Sequence, residues 1–294
     1  MKHNFFRKTA FLCALLLSSL TFFGAQENDS LSFVTARWKT SEIGEHITLK
    51  EVAFPGNLFN SNQYICIIEV SKNRTGKSKI PYFCFAAGEE LTKTSAFAEK
   101  KGGVAAVNGT FFKFNKPHNA VDYLRIDGVE ICPNGDESKG KRAFSQLGVI
   151  AIAKKGLAIL KPEDDINWER ELKEPDIMTS GPLLIYKDRC EPLQQSAFYK
   201  NRHPRTAVAT FKDGRVMLIT VDGRNGAAQG MSLEELQKIG KWMGASELLN
   251  LDGGGSTAMY IQGKGIVNHP SDNKLFDHNG ERSVANALLL MVSH

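Results

Sequence analysis

Leu248-Leu249-Asn250-Leu251-Asp252-Gly253-Gly254-Gly255-Ser256-Thr257-Ala258-Met259-Tyr260-Ile261 is the stretch on which the reading of this chain turns. An apolar run carrying one Asn stops at an Asp, crosses three consecutive glycines and resumes as Met259-Tyr260-Ile261. That pattern predicts a buried strand, a sharp turn and a second strand, too short in total for a membrane span. Three adjacent glycines carry a large backbone entropy cost, which a plain connection does not require. They admit left-handed backbone and close approach, as an anion-binding nest of N–H groups would need. Asn250, Asp252, Ser256 and Thr257 crowd polar atoms around the turn, marking it as a site. The simpler reading is a glycine-rich hairpin, but hairpins need only one or two glycines.

Outward from this stretch, other apolar runs end the same way: Val107 into Asn108-Gly109, and Val221 into Asp222-Gly223-Arg224. Strand ends that meet at one cleft gather catalytic groups from distant positions onto a rigid frame. Each is followed by a longer polar loop instead of an immediate return strand, which favours a site over an ordinary turn. Hairpins are expected about Asp127-Gly128, Lys154-Lys155-Gly156 and Asp213-Gly214. The clearest helix is Leu233–Met243, opened by a Ser232–Glu235 capping box, striped by Leu233, Leu236, Ile239 and Met243, and stopped by Gly244. A shorter helix through 96–99, capped by Thr92 or Thr94, ends at Gly102-Gly103. Many strands with few helices predict an α+β fold: a mixed, largely antiparallel β-sheet core with flanking helices.

At the N-terminus, Lys2, Arg7 and Lys8 precede the apolar run 10–23, and Gly24-Ala25 offers a small-residue cleavage point. Residues 1–25 therefore read as a secretory signal peptide, too short for a stable span, and an exported, periplasmic or secreted protein is expected. The remainder carries 34 basic against 32 acidic residues, a balance of +2 that gives no reason to expect nucleic acid as a partner. Of the cysteines beyond the leader, Cys66, Cys84, Cys132 and Cys190 are too widely spaced for a disulfide scaffold or a CxxC metal site, so one disulfide or none is expected. His118, His203, His269 and His278 lie in loops without ligand spacing and read as surface residues. A Ca²⁺ site on Asp222 and Asp252 lacks any EF-hand-like loop, so no metal or other cofactor is expected. No G-x-S-x-G elbow supports a serine hydrolase.

Seven blocks occur in the order seen in phosphodiester glycosidase domains, the family of the uncovering enzyme. They are Asn108-Gly-Thr-Phe-Phe112, Ser180-Gly-Pro-Leu-Leu184, Arg205-Thr-Ala207, Val221-Asp-Gly-Arg224, Gly230-Met-Ser-Leu-Glu-Glu-Leu236, Leu249-Asn-Leu-Asp-Gly-Gly-Gly-Ser256 and Arg282-Ser-Val-Ala-Asn286. The sequence resembles that family over 103–292, departing at Thr110, where a second glycine is usual. The chain is read as a glycosidase-like domain of residues 64–294 with residues 26–63 as an N-terminal segment packed on it, a segment to which the resemblance does not extend. The resemblance implies hydrolysis of the sugar C–O bond of a GlcNAc-α-1-phosphodiester-like small molecule or glycan. The site expected from it and from the strand ends has Asp252 and Asp222 as catalytic carboxylates. Arg205 and Arg224 would clamp phosphate, and Gly253, Gly254, Gly255 and Ser256 would form the nest. Asn108, Asn250 and Asn286 would bind sugar hydroxyls or orient the carboxylates, and Thr110 would lie against the phosphate or sugar. The competing readings are a non-catalytic carbohydrate-binding module of the cell envelope and a phosphodiesterase cleaving P–O.

Overall fold

The computed structural model describes residues 28–72, 80–117, 119–135, 141–154 and 156–293. The predicted leader and His118 lie outside the described residues. The strands form three sheets. The first has eight strands in the order Lys39–Gly44, Ile47–Leu58, Ser61–Val70, Val216–Val221, Arg205–Thr210, Glu247–Asn250, Leu183–Tyr186 and Arg189–Cys190. The second has five: Gly265–Ile266, Met259–Ile261, Ala105–Asn108, Ser283–Val292 and Pro81–Lys93. The third runs Val129–Cys132, Leu124–Ile126, Asp176–Ser180, Gly148–Ala153 and Gly156–Leu160. Every strand pair assigned is antiparallel, so the largely antiparallel core read from the sequence is what forms.

One face of each sheet turns toward a common core. Cys66, Ile68, Val208, Leu218 and Leu249 come from the first sheet, Val107, Leu288 and Leu290 from the second, and Ile150 and Met178 from the third. The period-2 alternation of strands sends Ile65 and Ile67 the other way, onto the outer face of the first sheet. There Leu233, Leu236 and Ile239 of the helix Leu233–Met243 cover them, with Phe33 from the N-terminal helical residues 28–34. The helix has its Ser232–Glu235 capping box and ends at Gly244 with φ 78°, as the sequence predicts. The second helix, Thr94–Lys101, starts after Lys93 without a side-chain cap and lays Phe97 and Ala98 on the outer face of the second sheet. Full burial of each large aliphatic or aromatic side chain contributes about 1.5–3 kcal/mol. Cys66, Cys84, Cys132 and Cys190 are all free thiols. Among the described residues no helix is long and apolar enough to cross a membrane.

The decisive stretch is not a hairpin. Glu247–Asn250 belongs to the first sheet and Met259–Ile261 to the second, so the glycine turn carries the chain from one sheet to the other.

Candidate active site

Each of the three glycines admits a different neighbour. A Cβ on Gly253 would stand 2.6 Å from the Pro204 carbonyl oxygen. Gly254 has φ 61°, and a Cβ there would meet Arg224 Nη2 at 2.8 Å. A Cβ on Gly255 would fall 2.3 Å from Asp272 Oδ1 and 2.4 Å from Arg282 Nη2. The Asp272–Arg282 pair is bidentate, at 3.0 and 2.5 Å. The run is glycine because Arg224, the Asp272–Arg282 pair and the Pro204 backbone press against it.

This corrects the nest reading. Gly254 N–H donates to Pro204 O at 2.9 Å, Ser256 N–H to Gly253 O at 3.2 Å, and Gly253 N–H to the Asp252 carboxylate at 2.9 Å. Those three donors are spent inside the protein, so the turn does not offer an anion the converging set of four amides, and the exposed Arg224 side chain is the cation placed to meet one.

Asp252 sits at the start of this turn with a small exposed edge. Burial raises its carboxyl to about 6, against the opposing pull of Ser256, Gly253 N–H, Arg282 and Arg224. The Ser256 hydroxyl lies close enough to contribute, yet makes no hydrogen bond of good geometry. Arg224 is exposed, and its backbone is left-handed at φ 63°, an uncommon state for a side-chain-bearing residue. That conformation turns the guanidinium onto Gly254. Among the described residues it has no hydrogen-bond partner of its own. An elevated carboxyl, an open guanidinium and a locally strained backbone in one place are the marks of a functional site.

Other predicted residues hold this turn without reaching a ligand. Asn108 is fully buried: Oδ1 accepts from the Thr206 hydroxyl (2.7 Å) and Ala258 N–H (3.2 Å), and Nδ2 donates to Asp252 O (2.7 Å). It ties the two sheets together at the turn instead of binding sugar. Thr110 is likewise buried, donating its hydroxyl to Thr179 O and its amide to Asn286 Oδ1. Arg205 is a correction as well: it is 2% exposed, and its guanidinium donates to the carbonyls of Met231, Phe198 and Asn201. Burial pushes its pKa down to about 10, and no part of it is open to phosphate. Asn250 and Asn286 each keep one buried amide atom unpaired, Asn250 Oδ1 and Asn286 Nδ2, beside bonds that fix their orientation.

Asp222 is the largest change from the sequence reading. Only 1% exposed, it accepts from Asn268 Nδ2 (2.9 Å), His269 N–H (2.9 Å) and His269 Nδ1 (2.8 Å). A carboxylate with both oxygens so engaged does not attack a substrate. His269, read from sequence as a surface residue, is instead held by Asp222, stacked on Phe276 (3.8 Å) and His278 (4.6 Å), and edged by Tyr64 (4.7 Å). The Asn268-His269 pair gave no sequence signal, because its partner Asp222 is 47 positions away. His203 is also partly buried, its pKa lowered by burial and by the charges of Arg205 and Arg224. Among the described residues no three His, Cys, Asp or Glu side chains converge as metal ligands. The grooves lined by Tyr82, Cys84 and Asp176 and by Lys141, Leu147 and Glu191 contain none of Asp252, Arg224, Asp222 and His269.

A glycine turn crosses between two of the three antiparallel sheets, and at it the Asp252 carboxyl and the open Arg224 guanidinium come together. The chain belongs to the phosphodiester glycosidase family, whose sequence model matches residues 101–291. The zebrafish N-acetylglucosamine-1-phosphodiester alpha-N-acetylglucosaminidase catalytic domain, auto-inhibited by its pro-peptide, has a similar fold: TM-score 0.60 at 18% identity, covering 91% of this chain and 92% of that one. A hypothetical protein from Synechocystis superposes with TM-score 0.63 at 15% identity, over 87% of this chain and 64% of that one. A putative exported protein of Burkholderia pseudomallei gives 0.57 at 15%, over 80% and 75%. In sequence, the SPbeta prophage-derived uncharacterized protein YomE of Bacillus subtilis is 35% identical over 71 residues, 24% of this chain and 11% of that protein.

Proposed function

We propose that this chain is an exported hydrolase that cleaves the sugar C–O bond of a GlcNAc-α-1-phosphodiester-like substrate and releases the free sugar. The observation that carries the reading is the Asp252 carboxyl, raised to about 6, on the same glycine turn that Arg224 packs against. A sugar-1-phosphodiester leaves as a phosphate monoester, already a stable anion, so protonating the leaving oxygen matters less than for an ordinary glycoside. Such a reaction needs a cation for the phosphate and a carboxylate for the positive charge that develops at the anomeric carbon. Arg224 supplies the first, and Asp252, ionised above pH 6, supplies the second. Arg282, paired with Asp272 behind Gly255, adds positive potential. The leader read over residues 1–25 supports export, and the zebrafish fold relative supports the sugar class.

Hydrolysis of a methyl GlcNAc-α-1-phosphodiester in ¹⁸O water is expected to place the label in the sugar. Label in the phosphate would replace this reading with P–O cleavage, and absence of turnover on sugar phosphodiesters would favour a binding module. Arg224→Lys is expected to lower kcat/KM at least about tenfold, because an ammonium cannot reproduce the two-pronged guanidinium contact.

A further inference from the structure

We propose that His269, held in place by Asp222, is the general base of this site, and that Asp222 is its positioning residue; this rests on the hydrolase reading above. The geometry is that of a built dyad. Asp222 lies buried under Asn268 and His269, and its Oδ2 accepts from both the amide and the ring Nδ1 of His269. With Nδ1 committed as donor to a carboxylate, the neutral ring carries its proton there and presents Nε2 as a bare lone pair. Asn268 locks the arrangement from behind: its Nδ2 donates to Asp222 Oδ1 and Thr257 O, and its Oδ1 accepts from Met259 N–H. The stack of Phe276 and His278 and the edge of Tyr64 fix the ring plane. An imidazole gripped this fully, yet still 12% exposed, is more than a packed side chain requires.

The dyad stands on the same rim as Asp252. The strands leading to Asp222 and to Asp252 flank Arg205–Thr210 on either side, with Val221 opposite Arg205 and Asn250 opposite Ala207. Two strand spacings separate the carboxylate-bearing ends, roughly 10 Å. Asp222-Gly223-Arg224 spans part of that gap and lays Arg224 on Gly254. Phosphate on Arg224 therefore sits between the two acidic elements. The charged and titratable groups around the ring are Asp222 on Nδ1, His278 on one face, and Tyr64, itself bonded to Glu51, at the edge. Cys66 lies beside Asp222 and Asp277 beside His278.

In the step, water gives a proton to His269 Nε2 as its oxygen bonds the anomeric carbon. The C1–O bond breaks, its electron pair leaves on the phosphate monoester, and the imidazolium later returns the proton to solvent. Asp252 faces the developing oxocarbenium charge. One displacement of this kind inverts the α-linked sugar.

The test uses the whole enzyme with methyl GlcNAc-α-1-phosphodiester. His269→Ala is expected to lower kcat by 10²–10⁴-fold, the usual contribution of a general base. Sodium azide is expected to restore at least tenfold of it, with the β-glycosyl azide as product. Asp222→Ala should lower kcat at least tenfold and shift the His269 tautomer read by ¹⁵N NMR, which in the wild type should show Nδ1 protonated and Nε2 bare. His278→Ala, which removes a stacking partner of the ring and a 2.7 Å contact to Asn268 O, should lose less than His269→Ala and gain nothing from azide. The proposal is overturned if His269→Ala loses less than tenfold, if azide fails to rescue or gives the α-azide, or if His278→Ala loses as much as His269→Ala. A wild type without turnover overturns the hydrolase reading and the base together. A wild type with turnover but an unimpaired His269→Ala overturns the base alone.

Discussion

At Asp252 the fold works against its own stability. The unfolded chain holds this carboxyl near 3.8 and the folded protein near 6, so the folded state binds the proton more tightly. Stability is therefore unaffected below about pH 4, falls as pH rises through the window from 4 to 6, and stays reduced above it. A gap of about two pH units corresponds to about 3 kcal/mol as an upper figure. Asp252→Asn is expected to stabilise the protein by about 1–3 kcal/mol at pH 8, with no gain at pH 4, in urea titrations. The same substitution is expected to cut turnover at least a hundredfold. Wild-type turnover should fall as pH drops through about 6, because the carboxylate form is the one that meets positive charge. A variant that is neither more stable nor less active would remove Asp252 from the chemistry.

At the scale of the turn, position 254 separates function from folding. Ala at Gly254 meets only the far end of the Arg224 side chain, so the guanidinium must give way, together with about 1 kcal/mol for left-handed backbone. Gly254→Ala is expected to lower kcat/KM at least tenfold while shifting Tm by only a few degrees. Gly226→Ala, where a Cβ meets nothing within 4 Å, should change neither; equal tolerance at both would mean that Arg224 does not work from this turn. The turn itself, its Asp and its strands were legible in sequence because apolar runs, glycines and a capping box are local signals. Asn108 and Asp222 announced themselves equally well by position at strand ends, and Arg205 through the family block that begins with it. Their partners decide whether they touch a ligand, and those partners lie far along the chain: Thr206 for Asn108, Met231 for Arg205, His269 for Asp222. Local patterning identifies polar residues near a site but cannot tell a ligand contact from a brace.

For the molecule as a whole, the candidate site lies where the first and second sheets are joined. Asn108 makes that joint, with Thr206 on one side and Asp252 and Ala258 on the other. Asn108→Ala leaves the Ala258 amide and the Asp252 carbonyl without these buried partners and the Thr206 hydroxyl with only a 3.4 Å contact to Thr257, and is expected to cost about 2–4 kcal/mol in urea unfolding. A loss under about 0.5 kcal/mol would show that the sheets are held together elsewhere. The order of strands in the second sheet adds a matter of timing. Ser283–Val292, the last strand, lies between Ala105–Asn108 and Pro81–Lys93, and its Asn286 bonds Thr110 N–H. The ribosome delivers that strand after every other part of the sheet, so residues made early wait for a neighbour made late. A chain interrupted before residue 283 leaves a gap in the second sheet beside Ala105–Asn108, the strand that brings Asn108 to the joint.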